Sequence, residues 1–112
     1  MEPPRLGDFE YLVLLALFRV GPEAYGAVVR REIETQTSRH LGISAVYTTL
    51  ERLEGKGYLI SRATAGGAER EGRAKRFFTV EKSGLEALQR ALDVMDRMRA
   101  DLPMLRPLGA RS

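Results

Sequence analysis

Between Ser44 and Arg52, the stretch SAVYTTLER holds Ser44, Ala45, Tyr47, Thr48, Thr49 and Arg52, side chains that can meet a nucleic acid. Short hydroxyls bond to base edges or phosphates, threonine methyls meet thymine methyls, and a guanidinium takes guanine or the sugar-phosphate backbone. Tyr47 offers a phenolic hydroxyl to a phosphate. Further along, Arg70, Arg73, Lys75 and Arg76 form a second basic group suited to phosphate or minor-groove contact, set against Glu69 and Glu71.

Catalytic chemistry is harder to assemble from this chain. There is no cysteine, and His40 is the sole histidine, which removes thiolate nucleophiles, thiolate metal sites and most acid-base pairs. No glycine loop has phosphate-cradling spacing, and the carboxylates all fit exposed helix faces. The expectation is a protein that is not an enzyme and carries no cofactor or metal.

The elements that would position the candidate residues follow from apolar spacing. Asp8 can cap a first helix whose run from Phe9 to Phe18 is apolar nearly all round, so deep burial is expected. Gly21-Pro22 ends it. Tyr25, Val28, Val29 and Ile33 recur at helical intervals in YGAVVRREIETQT, with Arg30, Arg31, Glu32 and Glu34 outside. After the connector SRHLGI, Ser44 is the expected cap of a third helix. Val46, Leu50 and Leu53 face its inside, Ala45, Tyr47, Thr48, Glu51, Arg52 and Gly55 lie outside, and Gly57 suits the left-handed closing position.

YLISRAT and RAKRFFTV have strand composition and enclose AGGAEREG, a solvated hairpin tip. Helix, helix, connector, helix, hairpin, helix is therefore the predicted order. The fold class is mainly α with a small two-stranded β-hairpin: a winged helix-turn-helix followed by a C-terminal dimerisation helix. Short side chains at the start of the third helix allow close approach of its free amides to phosphates.

Helical spacing resumes at Ser83, where Leu85, Leu88, Leu92, Met95, Met98 and Leu102 build an apolar stripe that Pro103 terminates. With the first helix already covered, a second copy of the chain is the simplest partner for this stripe, and a symmetric homodimer is expected. The domain division is then 1–80 for the winged unit, 81–102 for the dimerisation helix and 103–112 for a loose tail.

Bulk properties agree with double-stranded DNA as the polymer without requiring it. The net charge is only +3, but residues 38–80 hold eight basic against four acidic side chains. At 44% hydrophobic and 29% charged, the composition is that of a packed globular chain of 112 residues. The longest apolar run, Tyr11 to Phe18, is far short of the roughly 20 residues that span a bilayer. No secretory leader pattern opens the sequence, so no membrane association and a cytoplasmic location are expected.

Three segments in this order, AYG at 24–26, AVYTTLERLEGKGYL at 45–59 and RAKRFFTVEKSG at 73–84, resemble the PadR family of winged helix-turn-helix transcriptional regulators. The resemblance runs from about Leu6 to the end of the last helix. It implies a homodimeric DNA-binding regulator, usually a repressor, often released from its operator by a small-molecule effector; two reading helices about one DNA turn apart would bind a pseudo-palindromic site. It also implies that Tyr47 and its helix contact DNA, that residues 65–76 form the wing, and that the last helix makes the dimer contact. Ser44 and Ala45 stand where the family usually has glycine and threonine, and Thr48 replaces its proline. Ala27 and Val28 replace a common tyrosine-glutamate pair, and Glu81 replaces a capping threonine, which shifts the expected cap to Ser83. The alternative reading is a winged-helix module that binds another regulator and not DNA.

Overall fold

α1 covers Asp8–Val20 and is followed by a 3-10 turn at Gly21–Glu23. In this computed structural model, which describes residues 6–64 and 75–105, the helix begins one residue earlier than expected. Gly7 occupies the cap, and its amide N–H donates to Glu10 Oε1 at 2.6 Å, so Asp8 is the first helical residue and not the cap. The reason is local: a glutamate three residues into a helix reaches back to the cap amide, a donor that the helix itself cannot satisfy.

α2 (Gly26–Thr37) and α3 (Ile43–Gly55) complete a three-helix unit. Val13, Leu14 and Leu17 of α1 meet Val29 and Ile33 of α2 and Val46, Leu50 and Leu53 of α3, all buried in one cluster. Gly42, not Ser44, is the cap of α3, and no side chain bonds to its first amides. Beyond the C-cap Lys56, Gly57 adopts φ +83°, while the Tyr58 N–H reaches Leu53 O at 3.0 Å. That closing geometry is the one expected of a glycine just past a helix.

β1 (Leu59–Ala63) and β2 (Arg76–Val80) pair antiparallel, from Leu59 opposite Val80 to Ala63 opposite Arg76. The segment before α2 adds a rung on the far side of β2: Tyr25 bridges to Phe77, and the Phe78 N–H donates to Ala24 O at 2.9 Å. Leu59 and Phe78 turn inward and seal the floor of the helical core.

α4 (Lys82–Arg99) starts immediately after the sheet, with Glu81 as cap and not Ser83. The Ser83 hydroxyl instead donates to Gly57 O at 2.7 Å, pinning the new helix to the turn that closes α3. The helix ends at Arg99, three residues before Leu102. Its two halves differ. Gly84, Ala87 and Leu88 are buried in the core, whereas Val94, Met95, Met98 and, past the helix end, Leu102 are exposed.

Two expectations are therefore corrected. Leu88, expected on an exposed stripe, is 3% exposed and packs within the core of its own chain. α1 is buried along one flank only, because Leu15 and Phe18 remain uncovered at 36% and 48% exposure. An apolar cavity of about 380 Å³ lies beside them, lined by Leu12, Leu15, Ala16, Phe18 and Ile33. Arg19, also lining it, donates to Glu32 at 2.6 Å, an ion pair that joins α1 to α2.

Candidate nucleic-acid interface

α3 presents Ser44, Ala45, Thr48, Glu51 and Arg52 to solvent. Its core stripe points the opposite way, so the exposed face is a direct consequence of the spacing of Val46, Leu50 and Leu53. Ser44, Ala45 and Thr48 project little from the first turns, and the uncapped amides of the helix start open beside them. Arg52 has no ion-pair partner among the described residues.

Two residues of the expected reading face are less exposed than Ser44, Ala45 and Thr48. Thr49 is 4% exposed, and its hydroxyl donates to Ala45 O at 2.9 Å, so it is spent inside the helix. Its position three residues after Val46 and four before Leu53 already put it on the inward stripe. Tyr47 is half-buried, and its ring leans across the start of α2 onto Gly26. A Cβ at Gly26 would lie 2.6 Å from the Tyr47 hydroxyl oxygen, so the close approach needs a residue without a side chain.

The basic residues of the hairpin have separate fates. Arg70 and Arg73 lie outside the described residues, as does the expected tip at 65–72. Lys75 places its ammonium 4.2 Å from the Tyr25 ring centroid, and Tyr25 in turn meets Phe77 edge to face with ring centroids 5.4 Å apart. Arg76 is engaged at the inner side of the sheet: Nη2 donates to Glu54 Oε1 and to Ser61 Oγ, both at 2.9 Å. It does not extend outward as a free phosphate contact.

Three further polar residues, Arg39, His40 and Arg62, stand outside the residues expected to meet DNA. Arg39 and His40 are exposed in the connector just before α3, beside the helix start. Their placement depends on how α2 ends: Ser38 takes a left-handed conformation at φ +58°, and Glu34 accepts the Leu41 N–H at 2.8 Å, which turns the chain sharply. Arg62 is exposed on β1 with its guanidinium carbon 5.3 Å from the Phe77 ring centroid. In contrast, Lys56 is turned inward, bonding both oxygens of the buried Glu10 at 2.7 and 2.9 Å, and ties the end of α3 to the start of α1.

Among the ionisable groups, Glu32 is displaced from its ordinary value. The hydrogen bond from Arg19, and then that from Gln36, hold its carboxyl below the usual carboxylate range despite partial desolvation. It braces α1 against α2.

A helix-turn-helix with its second helix exposed, followed by a two-stranded wing, defines the winged helix-turn-helix class. Solved structures share that fold. A PadR family transcription regulator from Clostridium difficile aligns at a TM-score of 0.65 with 14% identity, over 86% of this chain and 96% of that one. A PadR family transcriptional regulator from Eggerthella lenta gives 0.64 with 21% identity, over 83% and 79%. The Orc1 protein of Aeropyrum pernix, solved in complex with DNA, gives 0.61 with 22% identity over 83% of this chain and 26% of that protein. No family model and no curated protein matches the sequence. The fold expected from the three PadR-like segments is thus the fold present.

Proposed function

We propose that the chain is a sequence-specific DNA-binding transcriptional regulator, acting in the cytoplasm as a homodimeric repressor of a pseudo-palindromic operator. The observation that carries the reading is the face of α3: short side chains at 44, 45 and 48, Arg52 beside them, and an open helix start flanked by Arg39 and His40. A helix start of this kind seats in a major groove, its amides on phosphate and its short side chains near base edges. Similarity in fold to regulators, and to a protein solved with DNA, supports it.

Dimerisation in this proposal uses the distal half of α4, with Met95, Met98 and Leu102, and the bare flank of α1 at Leu15 and Phe18. Leu85, exposed at 40%, and Leu92, partly buried against the core, would border the contact. Residues 1–80 then act as the reading unit and 81–102 as the connecting helix. Two such units set about one DNA turn apart would read the two halves of an operator. Release by a small-molecule effector belongs to the proposal through the PadR resemblance.

The test is selection of bound sequences from a random duplex pool at two salt concentrations. Enrichment of a two-fold symmetric motif is the expected result. Salt-sensitive binding without an enriched motif would replace operator reading by nonspecific binding. Absence of binding at both concentrations would favour the protein-binding module, a reading that the internal engagement of Lys75 and Arg76 keeps in play.

A further inference from the structure

Arg76 sits where a wing would offer a cation to DNA, yet its guanidinium faces three elements of its own protomer. Nη2 donates to Glu54 Oε1 on α3 and to Ser61 Oγ on β1, each at 2.9 Å. The Ser61 hydroxyl donates onward to Glu54 Oε2 at 2.8 Å, closing a ring of three side chains. Nη1 lies 3.7 Å from Glu51 Oε2, one helical turn back on α3, and the guanidinium carbon is 5.2 Å from the ring centroid of Phe78, its β2 neighbour two residues on. The side chains of Arg76 and Glu54 are 40% and 33% exposed, so the ring is partly shielded from water.

A lone exposed ion pair contributes little, because water screens it and both side chains must be ordered. This arrangement differs in three ways. The cation is planar and forked, a shared hydroxyl satisfies both partners, and an aromatic ring limits the guanidinium from another side. The ring of contacts joins the helix that carries the reading face to both strands of the wing.

We propose that Arg76 is a positioning residue, fixing the angle between α3 and the wing through Glu54 and Ser61, and is not a phosphate contact. The proposal rests on the DNA-binding reading above. It reverses the usual role of acidic residues near a nucleic acid. A carboxylate close to DNA repels phosphates, so its removal ordinarily tightens binding. Glu54, by holding Arg76, instead keeps the two contacting elements in the relative placement that a specific site requires.

The sign of the Glu54 effect is the experiment. The full chain, Glu54→Gln, Arg76→Gln and the double variant would be titrated with the selected operator duplex and with a scrambled duplex across a salt series, alongside thermal melts. Ser61→Ala supplies a milder break of the same ring should either charge variant fold poorly. Expected are roughly ten-fold weaker operator binding for each single charge variant, the size of one lost charge-assisted hydrogen bond, and little further loss in the double. Scrambled-duplex binding and the slope of log K against log salt should stay as in the parent. A role confined to general stability would lower the melts while leaving the ratio of specific to scrambled binding unchanged, and would overturn the proposal. So would tighter operator binding by Glu54→Gln, or a salt slope shallower by about 0.9 in Arg76→Gln, the loss of one phosphate contact. A parent chain that binds neither duplex overturns the DNA-binding reading and the proposal with it, whereas a parent that binds alongside a tightened Glu54→Gln overturns the positioning role alone.

Discussion

Replacing Gly26 by alanine tests whether the Tyr47 ring is held against the start of α2. The new Cβ would stand 2.4 Å from Tyr47 Cζ, 2.6 Å from its hydroxyl oxygen and 2.7 Å from Cε2. Comfortable contacts between carbon atoms lie at about 3.5–4.0 Å, so the rigid ring must swing as a unit. Overpacking of this kind destabilises by about 1–3 kcal/mol. Alanine at a helical position returns about 1 kcal/mol relative to glycine, which leaves a net loss of up to about 2 kcal/mol. In a Tyr47→Ala background the obstacle is absent, and the same substitution should be neutral or mildly stabilising. The coupling between the two sites should therefore exceed about 1 kcal/mol, above the roughly 0.5 kcal/mol scatter of independent sites. Urea unfolding of the four proteins at one fixed chain concentration measures it, the concentration being fixed because self-association, as proposed above, would add stability by mass action. An equal loss from Gly26→Ala in both backgrounds would refute the packing argument. So would no loss in either.

Gly84→Ala should be more severe than Gly26→Ala, since its Cβ would lie 2.4 Å from the backbone oxygen of Tyr58, which cannot rotate aside; an unchanged thermal midpoint would mean that α4 does not sit so tightly on that turn. Met95→Asp combined with Met98→Asp should yield monomers by light scattering with an intact circular dichroism spectrum, because both residues are exposed in the protomer, whereas Leu88→Asp should unfold the chain. Glu32→Gln tests the brace between α1 and α2. Because the folded-state pKa is lowered, ionised Glu32 contributes stability above the ordinary carboxylate value, and this is lost as pH falls through the lower folded value. Glu32→Gln should thus melt below the parent at pH 7 and converge with it in acid, and a gap that persists at low pH would show that charge is not the cause.

Much of the architecture is legible in the spacing of apolar residues. The inward stripe of α3 at Val46, Leu50 and Leu53 follows from helical spacing, the stop at Gly57 from glycine's left-handed freedom, and the two strands around the hairpin from their composition. Helix starts were less legible. At all three corrected starts the cap is Gly7, Gly42 or Glu81, one or two residues ahead of the obvious polar candidate. A capping side chain is a preference worth about 1 kcal/mol, and packing of the helix overrides it.

The chain's apolar pattern by itself determined which faces are inside, and therefore that Ser44, Ala45, Thr48 and Arg52 of one helix face out together. Partners between segments distant in sequence were decided only in three dimensions. Nothing local pairs Arg76 with Glu54 and Ser61, or lays Tyr47 on Gly26, because these meetings depend on the angles at which α2, α3 and the sheet pack. The stripe on α4 makes the same point. Its spacing runs unbroken from Leu85 to Leu102, yet the fold covers Leu88 and leaves Met95 and Met98 bare. Periodicity reports that a face is apolar, and only the path of the helix past its neighbours settles which turns of that face the same chain can cover.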